Sequence, residues 1–152
     1  MAYLAGLIDG EGSFIIKRSM AKQGKKCRRG FQRRYILTIA NTSKELLTEV
    51  QERLGYGNLV EHKQNQKHPN WKTGYTLRFY EGKLRELIPQ VMPFLILKQN
   101  EAQIISTSLS IIKSTSTKEA NEHEHQLLEL ENRFKEITEP RVKYQKGESR
   151  KL

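Results

Sequence analysis

The sequence predicts an α+β fold, with four antiparallel strands covered by helices on one face and open on the other. Three observations point there. Three segments alternate apolar and polar residues with the two-residue period of a strand, two of them forming one hairpin and the third returning from a second. Segments with apolar residues three and four apart precede, separate and follow them. Lys17, Arg34, Lys72 and Arg78 of these segments fall on the alternating face opposite the apolar one.

Taken in order, Ala2 to Asp9 carries Leu4, Leu7 and Ile8 at helical spacing, and Gly10 and Gly12 read as its stop. "SFIIKRSM" (Ser13 to Met20) then sets Phe14, Ile16 and Met20 against Ser13, Ile15, Lys17 and Ser19. "FQRRYILTIA" (Phe31 to Ala40) sets Phe31, Tyr35, Leu37 and Ile39 against Gln32, Arg34, Ile36 and Thr38. Their connection, "AKQGKKCRRG", reads as a basic hairpin tip carrying Lys25, Lys26, Arg28 and Arg29.

"NTSKELLTEVQERLG" predicts a helix with Thr42 or Ser43 as N-cap, Leu46, Leu47, Val50 and Leu54 inward, and Gly55 as stop. A second hairpin follows. "NLVEHKQ", with His62 and Gln64, runs out, and "WKTGYTLRFY" returns with Trp71, Tyr75, Leu77 and Phe79 opposing Lys72, Thr76 and Arg78. Lys83 to Gln90 fits a short helix that Pro93 interrupts. Lys98 to Lys113 has an Ala102, Ile105, Leu109 and Ile112 stripe, and Thr117 to Thr138 has Leu127, Leu130, Phe134 and Ile137. One domain is expected over residues 1–139. From Pro140 the chain is basic without a core pattern, so residues 140–152 read as a frayed tail.

Cys27 is the one cysteine, so neither an intramolecular disulfide nor a zinc site of thiolates is expected. That fits a reducing, intracellular compartment, either cytoplasmic or organellar. The N-terminal apolar run is far shorter than the ~20 residues of a membrane span and lacks a basic leader, so neither membrane nor secretion is indicated. The formal charge is +10, unevenly placed. Ten basic residues and no acid lie between Gly12 and Lys44, and His62 to Tyr80 is a second acid-free stretch. Such segregation costs self-repulsion unless a polyanion neutralises it, which favours nucleic acid. Ser13, Ile15, Lys17, Ser19, Gln32, Arg34, Thr38, Lys72, Thr76 and Arg78 line the open face, where long donors at strand spacing can reach base edges and phosphates. With the two hairpin tips, including His62 and Gln64, they form the candidate DNA-binding set.

"LAGLIDGEG" (Leu4 to Gly12) resembles the signature of the LAGLIDADG homing endonucleases at nearly every position. The "SF" that follows, "LTIANTSKELL", "LGYGN" and "MPFLILKQNEA" look like that family too, so the likeness runs from Tyr3 to Ile112. It implies the αββαββα order with a saddle-shaped sheet. The activity it implies is a metal-dependent double-strand cut in a long pseudo-palindromic DNA site, serving intron or intein homing. An intron maturase acting on host intron RNA, or a cleavage-inactive DNA-binding protein, are the alternatives on the same scaffold.

The chemistry can also be argued from the residues. Hydrolysing a phosphodiester requires an activated water, in-line geometry and positive charge at the phosphorus, all of which a divalent cation supplies. Mg²⁺ keeps several waters and takes few protein oxygens, so one carboxylate beside an open carbonyl is a workable cradle. By resemblance, Glu11 is the metal-binding catalytic acid and the Gly10 carbonyl a main-chain ligand, with Mg²⁺ or Mn²⁺ active and Ca²⁺ binding without cleavage. Glutamate stands where the signature has aspartate. Asp9, the one aspartate in the chain, is by its place in the motif a structural acid. It sits against the helix macrodipole, so a specific partner is expected to hold it. Lys98 matches the family's basic residue near the scissile phosphate; read alone, it is a surface lysine before a helix. Asn41 falls where the family places a polar residue such as Gln, and equally leads into a helix cap.

The motif occurs once, and a double-strand cut needs two sites. A C₂ homodimer is the economical answer. Ala2, Gly6 and Gly10 recur every fourth residue, a smooth stripe for close helix packing, and Tyr3, Leu4, Ala5, Gly6 and Leu7 are the candidate interface. His123 and His125 are two apart on a helix and do not make a metal pair.

Overall fold

The computed structural model describes residues 1–20, 31–62, 72–114 and 120–147. Lys25, Lys26, Arg28, Arg29, Gln64 and Trp71 lie outside them. The element order is α1 (Ala2–Glu11), β1 (Gly12–Met20), β2 (Phe31–Asn41), α2 (Lys44–Leu54), β3 (Asn58–His62), β4 (Gly74–Tyr80), α3 (Glu81–Val91), a 3₁₀ turn (Met92–Phe94), α4 (Gln99–Ser114) and α5 (Ala120–Gly147). The chain forms two compact units, Met1–Gln99 and Asn100–Leu152.

In the first unit the four strands make one antiparallel sheet in the order β1-β2-β4-β3. Alternation decides its two faces. Phe14, Tyr35, Leu37, Ile39, Leu77 and Phe79 are buried on one, against which α1, α2 and α3 pack. These helices supply Leu4, Ala5 and Ile8, then Leu47 and Val50, then Leu84, Leu87, Ile88 and Val91. The same parity leaves Ser13, Ile15, Lys17, Gln32, Arg34 and Arg78 on the other face.

Local chemistry sets the element ends. Ser43 caps α2 by accepting from the Leu46 amide at 3.2 Å, and Gly55 ends it in the left-handed region at φ 73°. α1 is longer than Gly10 and Gly12 suggest. It runs through Gly10 to Glu11 and stops at Gly12, whose extended backbone (φ −85°, ψ 157°) begins β1. Glu11 is therefore the last helical residue and not one past the end. A Cβ on Gly12 would sit 2.6 Å from the Ile8 carbonyl oxygen, whereas one on Gly10 meets nothing within 4 Å. Gly12 is the true stop because only glycine fits there.

Pro89 lies inside α3, and the 3₁₀ turn rather than Pro93 alone ends that helical region. In the second unit, α4 buries Ala102, Ile105 and Leu109, and α5 buries Leu127 and Phe134. The α5 backbone stays helical past Pro140 to Gly147, so most of the stretch read as a frayed tail is helix. Its Arg141, Lys143 and Lys146 are good helix formers, and cations suit a helix C-terminus.

Candidate nucleic-acid interface and metal site

The end of α1 is held by a two-way clasp. The Asp9 carboxylate accepts three successive backbone amides, from Ile96 at 2.8 Å, Leu97 at 3.2 Å and Lys98 at 3.0 Å. In return the Lys98 ammonium donates to the Ile8 carbonyl at 2.9 Å and to the Asp9 carbonyl. Carbonyls in the last turn of a helix have no intrahelical donor, and a cation there complements the macrodipole. Asp9 thus has the partner its position demands, and Lys98 is a cap of α1 as well as a neighbour of its end. The partners are 87 to 90 residues apart, so no local pattern could have announced them.

Glu11 follows immediately. It is exposed at the end of α1, and among the described residues no hydrogen bond or ion pair engages its carboxylate. With Asn41, His62 and Thr76 it lines an open cleft of about 350 Å³, completed by Ala40, Thr42, Gly74 and Tyr75. Asn41 Oδ1 accepts the Ser43 amide at 2.8 Å, so this side chain both faces the cleft and turns the chain into α2. His62 Nε2 lies 2.8 Å from Thr76 Oγ1. The two are diagonal neighbours across β3 and β4, since Val60 opposes Thr76 and Gly74 opposes His62. That bond explains why Thr76 is 8% exposed on a face otherwise open.

The oxygens here fit a hard cation. No group of three His, Cys, Asp or Glu that could hold a metal occurs among the described residues, so an all-protein cage is not what this chain offers. What it offers is one unengaged carboxylate and the carbonyls of the last α1 turn. Gly10 is exposed and has no Cβ. Such a set suits Mg²⁺ or Mn²⁺, which retain water, better than zinc.

From the cleft, the open face continues as rungs fixed by strand register. Ser13, Thr38, Arg78 and Asn58 share one, Ile15, Ile36 and Tyr80 the next, then Lys17 with Arg34 and Ser19 with Gln32. Lys17 and Arg34 stand directly opposite, with no described carboxylate paired to either. Like charges directly across a sheet destabilise it unless an anion lies between them. Lys72 is exposed just before β4. Asn58 and Tyr80 share the face without having been picked out from sequence, though strand parity with Arg78 would have found both, and Ile36, placed on it by alternation, was left out of the candidate DNA-binding set.

Of the candidate interface on α1, Leu4 and Ala5 are buried within the chain. Tyr3, at 69% exposure, Gly6 and part of Leu7 are open, along with Ala2 and Gly10. A Cβ on Gly6 would meet nothing within 4 Å.

Comparison with known proteins agrees with this geometry. No curated protein sequence matches. Among solved structures, the archaeal intron-encoded homing endonuclease I-Vdi141I in complex with DNA is similar at TM-score 0.71 and 18% identity, over 88% of this chain and 80% of that one. The homing endonuclease I-TnaI follows at 0.67 and 17%, over 88% and 84%. I-CvuI, in complex with the I-CreI target in the presence of Mg, gives 0.60 and 21%, over 75% and 68%. These likenesses concern the fold. The model of the LAGLIDADG endonuclease family matches residues 4–99, which hold α1, the whole sheet and the Asp9–Lys98 clasp. The chain therefore belongs to the LAGLIDADG endonuclease family.

Proposed function

We propose that the protein is a site-specific homing endonuclease that cuts both strands of a long, pseudo-palindromic DNA site as a homodimer. The observation that carries this is Glu11: a carboxylate that no described residue engages, at a helix end held by the Asp9–Lys98 clasp, beside a sheet face whose Lys17 and Arg34 pair with no described carboxylate. A bound divalent cation would activate the attacking water and neutralise charge at the phosphorus. The Mg and Ca present in the I-CvuI–DNA structures suit that chemistry. The chain's own residues do the rest. Glu11 and the Gly10 carbonyl hold the cation, Lys98 fixes the end of α1 that carries them, and the open face sets the register of the duplex.

One Glu11 serves one strand, so two copies are required. The open stripe of Ala2, Gly6 and Gly10, with Tyr3 beside it, gives a helix surface on which a second α1 can lie closely. In a dimer joined there, both Glu11 side chains approach the two-fold axis.

The test is cleavage of a plasmid carrying the uninterrupted insertion site. Mg²⁺ or Mn²⁺ should give a double-strand cut, Ca²⁺ binding alone, and chelation none. Glu11→Gln should lose cutting by at least a hundredfold while binding the site unchanged, the scale expected on removing a principal transition-state charge. Binding without cutting at every metal concentration would reject the enzyme, and equal loss of both in Glu11→Gln would make Glu11 structural.

A further inference from the structure

The register of the open face orders its chemistry along the DNA, and one rung differs from its neighbours. Ile15 opposes Ile36, and Ile36 opposes Tyr80, so three apolar groups stand in line across β1, β2 and β4. Ile15 is 36% exposed and Tyr80 41%, and they are the exposed large apolar side chains among the described residues of the sheet. Isolated surface apolar groups need no explanation. An aligned trio does, because it is bracketed by hydroxyls, an amide and Arg78 on one side and by Lys17 with Arg34 on the other.

We propose that the Ile15–Ile36–Tyr80 rung reads the C5-methyl group of thymine in the major groove. Of the groups a duplex presents there, the thymine methyl is the one that gains from apolar contact, whereas the others are hydrogen-bond donors and acceptors. The flanking cationic rungs fit the same duplex, which fixes the occupant as DNA. The inference rests on the DNA-binding role proposed above and assigns it a base preference.

Its position follows from two spacings. Rungs on one face lie two residues apart, about 6.7 Å along the strand, and base pairs are about 3.4 Å apart, so each rung spans about two base pairs. β1 begins one residue after Glu11, so distance from the cut grows along β1. The thymine therefore lies about two base pairs on the cut-proximal side of the Lys17–Arg34 rung, where guanine, with its two major-groove acceptors, is expected.

The test uses the full chain and a pool of random DNA duplexes. Duplexes retained in Ca²⁺ should share, in each half-site, a thymine about two base pairs nearer the centre than a guanine. Each thymine of a retained duplex is then replaced in turn by deoxyuridine, which removes only the methyl. Affinity should fall about fourfold at that position, the size of one buried methyl group. Uracil at the other thymines should be tolerated, and Ile15→Asn should bind thymine and uracil alike at the sensitive one. Uniform tolerance of uracil, or no base preference inward of the guanine, overturns the proposal while leaving DNA binding intact. Failure to enrich any duplex removes the DNA-binding reading and this inference with it.

Discussion

Two carboxylates in "DGEG" stand two residues apart on α1 and have opposite surroundings. Asp9 is spent on three backbone amides, and among the described residues nothing engages the Glu11 carboxylate. The role expected of Glu11 came from the resemblance of "LAGLIDGEG" to the family signature, and the structure places that carboxylate exposed at the end of α1. The sequence carried only half of Asp9: the conflict with the macrodipole was legible, and the amides of Ile96 to Lys98 that resolve it were not. Asp9→Asn keeps the shape but gives up the charge and one of two accepting oxygens. It should destabilise the fold by about 1–3 kcal/mol, measured by denaturant unfolding. Cleavage should fall with it, since the α1 end is then loosely held. His62 and Thr76 were both expected in the DNA-binding set, but their hydrogen bond needed the diagonal geometry of paired strands.

At the scale of elements, alternation and capping made most of the first unit readable. Ser43 and Gly55 bound α2 as their chemistry requires, and β1, β2 and β4 follow period-two patterning, which β3 lacks. The end of α1 was misplaced because two glycines offered themselves, and only packing against Ile8 distinguishes them. That distinction makes a paired prediction. Gly12→Ala forces a Cβ against backbone and should unfold or misfold the α1–β1 junction, seen as a lowered Tm and loss of cutting. A Cβ at Gly6 meets nothing within 4 Å among the described residues, so Gly6→Leu should leave the monomer's Tm unchanged while sedimentation should show the proposed dimer lost. A second prediction concerns the turn after α2. Tyr56 lies edge-on to Phe79 at 6.0 Å, with the Lys83 ammonium 4.9 Å from its ring. Burial, then the Glu86 charge, raises its pKa above the usual value near 10, against a lowering by Lys83. Stability from the neutral phenol is complete below the unfolded value and is lost as pH rises through the folded one. Unfolding midpoints should therefore decline above about pH 10, and Tyr56→Phe should flatten that decline.

Across the whole molecule, charge follows function more closely than composition shows. Met1 to Gln99 holds 18 Lys and Arg against 8 Asp and Glu, while Asn100 to Leu152 holds 9 of each. The entire formal +10 resides in the unit that contains the sheet. Specific affinity should therefore fall steeply with salt, log K declining by roughly 0.9 per log unit for each phosphate contact. A slope near zero would mean the open face does not follow the backbone. Lys17→Gln should shallow the slope by about one contact's worth.

The Asp9–Lys98 clasp has a further consequence, in the timing of synthesis. The end of α1 is synthesised nearly ninety residues before the amides and the ammonium that fix it. Closing so long a loop is entropically costly before other contacts repay it, so the α1 end is fixed late. A chain stalled or cleaved before Ile96 has Glu11 and the whole sheet but lacks the clasp that fixes the end of α1.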